Sequence, residues 1–330
     1  MKQAAMLLLT FTLLFTGIAP AGAVKTTKRT EIRLVSLGDS IARGYGCRPE
    51  EAYGSLLADY IGELVTPAPY PVRYVNYGTD GDTAGDLLEK LRTREDIRED
   101  VRLADILTIS IGGNDLIHQL RDLLPKQDDS LLGGVSKLAA ALREGLSEAR
   151  SQEVFRQFQA DMDGVFSQLN QLCPDALVIL TTIPNPTDDD TLGPIIQRYL
   201  ERFNNHIRAG CGCREGLIPL AADSNAAFAA YTGKEDLTFT HIDWSELWTL
   251  KLDPHPTPAG HQIIAQTHIP LMEERLTEIR TAWLHSAVPK EEPGLPSESA
   301  GPERLLPPLV LAVFAGGMLL LALACRRRQL

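Results

Sequence analysis

Four short segments of this 330-residue chain carry side chains suited to acid–base and nucleophilic chemistry. They are Gly38-Asp39-Ser40-Ile41, Asn76-Tyr77-Gly78-Thr79-Asp80-Gly81-Asp82-Thr83, Gly112-Gly113-Asn114-Asp115 and Asp253-Pro254-His255-Pro256. A serine hydroxyl attacks a carbonyl only when a base within hydrogen-bond reach takes its proton. Imidazole suits that task, because its ordinary pKa of ~6.5 lies near working pH. Ser40 and His255 are therefore a candidate pair of nucleophile and base. Each segment alone also reads as a turn that caps a helix, so their weight comes from where they stand relative to the secondary structure.

Short apolar runs precede the first three of them. Ile32–Leu37, Val72–Val75, Ile106–Ile111 and Leu177–Leu180 read as strands, and Leu217–Leu220 as a weaker fifth. Apolar spacing of three and four predicts helices over Tyr53–Leu64, Thr83–Leu91, Phe155–Leu172 and Pro194–Ile207. Strands separated by helices imply right-handed crossovers and a mostly parallel sheet covered on both faces. Such sheets bind ligands beyond the carboxyl ends of their strands, where these segments fall.

The four segments in this order resemble the GDSL, or SGNH, hydrolase family over roughly residues 32 to 275. The family's serine corresponds to Ser40, its glycine to Gly81, its asparagine to Asn114 and its histidine to His255. The resemblance implies a flavodoxin-like α/β/α sandwich with a five-stranded sheet, and ester hydrolysis with no metal or other cofactor. His255 would take the Ser40 proton and return it to the leaving alcohol. The N–H groups of Ser40 and Gly81 and the Asn114 amide would receive the oxyanion. One position departs from the pattern. The family's aspartate stands three residues before its histidine, which here is Leu252, whereas Asp253 is two before. Either Asp253 swings under the imidazole or a backbone carbonyl near Leu252 orients the ring. Asp39 and Asp82 flank the site; Asp39 is a candidate tie between loops, and Asp82 reads as a turn cap.

The two ends of the chain bear on where this chemistry happens. Residues 1–23 combine Lys2, an apolar run and Ala21-Gly22-Ala23, the pattern of a signal peptide. Residues 305–325 are uncharged, long enough as a helix to span ~31 Å, and followed by a basic tail at 326–330. The Pro-, Glu- and Ser-rich stretch 287–304 reads as a tether, leaving one hydrolase domain over 30–286. The expected location is a membrane anchor with the domain outside. A net charge of -11 with no basic patch in the domain argues against nucleic acid. The expected substrate is an ester: a lipid acyl ester such as a lysophospholipid, or O-acetyl groups on surface polysaccharide. A non-catalytic surface module that kept the fold is the alternative, and an intact nucleophile and base speak against it.

Other features are less specific. The apolar stripe within 131–146 reads as packing rather than a lid, and Phe239, His241, Trp244 and Trp248 could line a cleft. His206 with Cys211 and Cys213 lacks a full metal-ligand set. Cys47 follows the first strand and so falls at the active-site end of the sheet, while the alternation of strands and helices sets the other cysteines apart from it. That alternation puts Cys173, Cys211 and Cys213 at the other end, so a disulfide from Cys173 to one of that pair is expected.

Overall fold

The computed structural model describes residues 31–65, 71–120, 148–190, 192–213, 215–232, 237–240 and 253–287. The signal peptide, the 131–146 stripe, Leu252, His241, Trp244, Trp248, nearly all of the tether, the anchor and the tail lie outside the described residues. Among the described residues no helix is long and apolar enough to cross a membrane. The chain divides into two units, Met1–Leu284 and His285–Leu330, and the sheet belongs to the first.

Five strands, β1 (Ile32–Gly38), β2 (Val72–Gly78), β3 (Ile106–Ser110), β4 (Leu177–Thr181) and β5 (Leu220–Ala222), form one parallel sheet in the order β2-β1-β3-β4-β5. The helices are α1 (Ser40–Arg43), α2 (Tyr53–Val65), α3 (Ala84–Thr93), α4 (Glu95–Arg102), α5 (Gly113–Leu120), α6 (Glu148–Leu172), α7 (Leu192–Arg208), α8 (Ser224–Ala230) and α9 (Pro258–Ala287).

Strand residues alternate between two cores, as a pleat of period two requires. Val35, Leu37, Leu107, Ile109, Val178 and Leu180 face α3, α4, α6 and α7. Ile32, Leu34, Ile106 and Ile179 face α2, α8 and α9. All five residues of β3 are buried, the near-continuous apolar run of a strand covered on both sides. The result is the three-layer α/β/α sandwich expected from the sequence.

Several elements differ from expectation: α1, α4, α5 and α8 lie where the apolar spacing predicts no helix, and α6 begins at Glu148 rather than Phe155. The fifth strand starts at Leu220 rather than Leu217. Pro219 has no N–H to give a ladder, and the Leu217 N–H is taken by Asn170 Oδ1 at 2.7 Å. Helix α9 has no counterpart in the sequence reading, although its Ile264, Ala265, Met272, Leu276 and Ile279 fill the second core. Two of its stripe positions are histidines, His261 and His268, both fully buried. His268 Nδ1 donates to Ile264 O at 2.8 Å, leaving Nε2 to accept from Thr181 Oγ1 at 3.1 Å. Burial holds the His268 imidazole down to about 4, so it stays neutral.

The cysteines correct a further expectation. Cys173 and Cys211 pack in the same apolar core, with Cys213 against it, yet these three and Cys47 are free thiols. The core uses them as small apolar side chains, and the expected bridge is not formed.

Candidate active site

The sheet order reverses between β1 and β3, the crevice where open α/β sheets present their ligands. Ser40 follows β1 there and Asn114 follows β3. The chain leaves β1 through Gly38 at φ +123, and a Cβ at that position would lie 1.9 Å from Ser110 O. Only glycine fits so close to a neighbouring strand. Asp39 then caps α1: its Oδ1 accepts the Ile41 N–H at 3.0 Å and the Ser110 hydroxyl at 3.3 Å. Ser40 is the first residue of that single turn, so its N–H has no partner within the helix.

His255 arrives from the far end of the unit. Its loop is strapped to the 237–240 segment: Phe239 N–H donates to His255 O at 3.1 Å, and Thr257 N–H to Leu237 O at 3.0 Å. Thr240 Oγ1 donates to Asp253 O at 2.8 Å. So held, His255 Nε2 stands 3.0 Å from Ser40 Oγ, and Nδ1 stands 2.6 Å from Asp253 Oδ1. The same Asp253 oxygen accepts the His255 backbone N–H at 3.2 Å. That is an Asx-type turn, in which an aspartate reaches the residue two positions on. A spacing of two therefore brings the carboxylate to the ring, and of the two orienting groups left open by the sequence it is Asp253 that contacts Nδ1. A carboxylate on Nδ1 fixes the proton there and leaves Nε2 to accept from Ser40.

Gly81 turns at φ +82, and a Cβ built there would meet nothing within 4 Å. The glycine thus serves the left-handed turn and faces open space. Asn114 Nδ2 donates to Asp82 O at 2.9 Å, which fixes the amide and leaves its second hydrogen over. The neighbouring Asp115 accepts the Ala84 N–H at 3.1 Å. Asp82, read from the sequence as a turn cap, is not the cap of α3. Thr83 is, in a capping box with Asp86, while the Asp82 carboxylate pairs with Lys90, which also donates to Thr79 Oγ1 at 2.7 Å. The Asp39 carboxylate instead ties the turn after β1 to the end of strand β3 through Ser110. Sequence reasoning missed the supporting groups Ser110, Asp115 and Lys90. Among the described residues, no three of His, Cys, Asp and Glu are grouped so as to hold a metal.

The profile of the GDSL-like lipase/acylhydrolase family matches residues 36–263. The chain belongs to this family. It is a carboxylic ester hydrolase of the GDSL type. Among solved structures, the lipase Lip_vut3 from a goat rumen metagenome aligns at 19% identity over 74% of this chain and 99% of its own, with a TM-score of 0.55. TesA aligns at 16% identity over 74% of this chain and 99% of its own, with a TM-score of 0.45. The acetylxylan esterase Axe2 from Geobacillus stearothermophilus aligns at 21% identity over 74% and 95%, with a TM-score of 0.42. No curated protein sequence matches the chain.

In this GDSL hydrolase the acids behind the site are unusual. Burial raises the Asp39 carboxyl to about 7, against the lowering effect of the Ile41 and Ala42 N–H groups and Ser110. Burial likewise raises Asp115 to about 6, against the lowering effect of the Ala84 N–H. A folded pKa above the unfolded one means that stability contributed by Asp39 is full in acid and is lost as pH rises towards about 7. Asp39→Asn keeps the capping oxygen and cannot ionise. Its stability relative to wild type, read from thermal unfolding, is expected to rise between pH 5 and about pH 7, by at most ~1.4 kcal/mol per pH unit, and then to level off. A difference independent of pH would show that Asp39 does not titrate there.

Proposed function

We propose that the chain hydrolyses carboxylic esters through Ser40 as nucleophile, His255 as general base and Asp253 as the acid that orients it. The observation that carries this reading is the continuous line from Asp253 Oδ1 to His255 Nδ1 at 2.6 Å and from Nε2 to Ser40 Oγ at 3.0 Å. In the acylation step Ser40 Oγ forms a bond to the acyl carbon as its proton moves to Nε2. The tetrahedral intermediate then expels the alcohol, which takes that proton. Water, deprotonated by His255, repeats the sequence on the acyl-enzyme and releases the acid.

The oxyanion would rest on the N–H groups of Ser40 and Gly81 and on the Asn114 amide. Three features support this assignment: the first-turn position of Ser40, the open space in front of Gly81, and the anchoring of Asn114 on Asp82 O. Donors fixed before reaction act on the transition state without reorganising.

The substrate is proposed to lie at the outer face of a membrane, because the sequence of residues 1–23 and 305–330 reads as export and anchoring. A lysophospholipid or other lipid acyl ester and an O-acetylated polysaccharide both fit that place. One assay addresses both matters: kcat and KM for p-nitrophenyl esters of increasing chain length, with intact cells expressing the full chain and then with lysate. Intact cells are expected to hydrolyse a membrane-impermeant ester; activity appearing only after lysis would sink the outer location. Long-chain preference favours a lipid substrate, and acetyl preference favours the polysaccharide. In the same series Asn114→Ala is expected to lower kcat by ~10²–10³ with little change in KM. A change confined to KM would mean that Asn114 holds ground-state substrate.

A further inference from the structure

The two in-plane bonds of the His255 ring, to Asp253 and to Ser40, grip opposite edges of the imidazole. They leave it free to swing about the line that joins them. A contact on the ring face would stop that motion, and among the described residues Tyr45 makes one. The Tyr45 ring lies against the imidazole with centroids 4.0 Å apart and planes tilted by 33°. We propose that Tyr45 is a positioning residue, the wall that holds the His255 imidazole in the plane its two hydrogen bonds need. This rests on the reading of Ser40 and His255 as nucleophile and base.

Tyr45 is itself held from several sides. Its N–H donates to Ser40 O at 2.9 Å, so the ring is carried by the same turn as the nucleophile. Its carbonyl accepts from His261 Nε2 at 3.3 Å. His261 Nδ1 accepts the Tyr53 N–H at 3.4 Å, which puts the proton on Nε2. Burial holds His261 down to about 4, so it stays neutral and keeps that tautomer. The Arg43 guanidinium, paired with Asp80, sits 5.3 Å from the Tyr45 centroid. Beyond the ring, Gly46 at φ +86 packs so closely on the histidine loop that a Cβ would lie 2.5 Å from Phe239 Cε2 and 3.1 Å from Pro256 O. The nucleophile turn and the histidine loop thus interlock around this tyrosine. The residue nonetheless remains 39% exposed, more than one serving only the core would be.

The contact is made by the ring, and among the described residues no hydroxyl bond enters it. Tyr45→Phe should therefore keep activity within about twofold of wild type. Tyr45→Leu, which keeps apolar bulk but no flat face, should lower kcat for p-nitrophenyl acetate by ~10- to 100-fold with KM nearly unchanged, since small misplacements of a base are costly. It should slow fluorophosphonate labelling of Ser40 by a similar factor, because labelling uses the same nucleophile and base without an ester-binding step. A rise in KM with unchanged labelling would make Tyr45 a substrate wall and overturn the proposal. So would a Tyr45→Phe variant as slow as Tyr45→Leu. Should Tyr45→Leu lose its thermal transition, Tyr45→Met carries the same test. Wild-type labelling at Ser40, read alongside, separates a failure here from a failure of the mechanism beneath it.

Discussion

Ser40→Ala is expected to lower kcat by ~10⁴- to 10⁶-fold while the protein keeps its thermal midpoint. The hydroxyl is small and largely buried, and its one described side-chain partner is His255 Nε2. Removing it takes away the covalent route but leaves the oxyanion donors, so a residual rate above that of free water should persist. His255→Ala should cost about as much, and the double variant scarcely more, because nucleophile and base work as a unit. A fluorophosphonate should modify the wild type at Ser40 and leave Ser40→Ala untouched, as read by mass spectrometry of the labelled peptide. An adduct on another serine would remove Ser40 from the reaction.

Asp253→Asn gives the second large effect, and the local geometry makes it unusually informative. One oxygen, Oδ1, accepts both the imidazole Nδ1–H and the backbone N–H of His255. An amide oxygen can accept both as well, so the substitution keeps the turn and removes only the negative charge. The loss then measures how far that charge stabilises the imidazolium formed as Ser40 gives up its proton. A fall in kcat of at least tens of fold is expected, approaching ~10⁴ if the amide rotates and forces the wrong tautomer. Asp253→Ala, which also unties the turn, should be slower still. A near-wild-type rate in Asp253→Asn would return the orienting role to a backbone carbonyl.

The sheet was legible because its strands carry apolar runs, the first three ended by glycine turns, and four observed strands begin where those runs begin. The edge strand was harder to place: Leu217 is buried but lies outside the ladder, and burial rather than pairing is what an apolar run reports. Helix α9 was illegible for a chemical reason. Its buried stripe substitutes His261 and His268 for aliphatic residues, and both are accommodated by tertiary hydrogen bonds that no spacing rule anticipates. In the site, Ser40, Gly81, Asn114 and His255 stood out because each follows a punctuated turn. Asp253 stayed open until the Asx turn showed how far its side chain reaches. Tyr45 gave a faint sign only, an aromatic between Gly44 and Gly46, because what it touches lies 210 positions away in the chain.

Ser40 and His255 are separated by 215 positions, and the bond between them closes about three quarters of the length of the unit. During synthesis the first strand and its serine leave the ribosome long before the histidine loop and α9 exist. A contact of such sequence separation forms late, after the loop it closes has been ordered. On the proposed mechanism the nascent chain should stay inert towards esters until the histidine loop and α9 have been made, so the appearance of activity would date the completion of this fold rather than of any part of it.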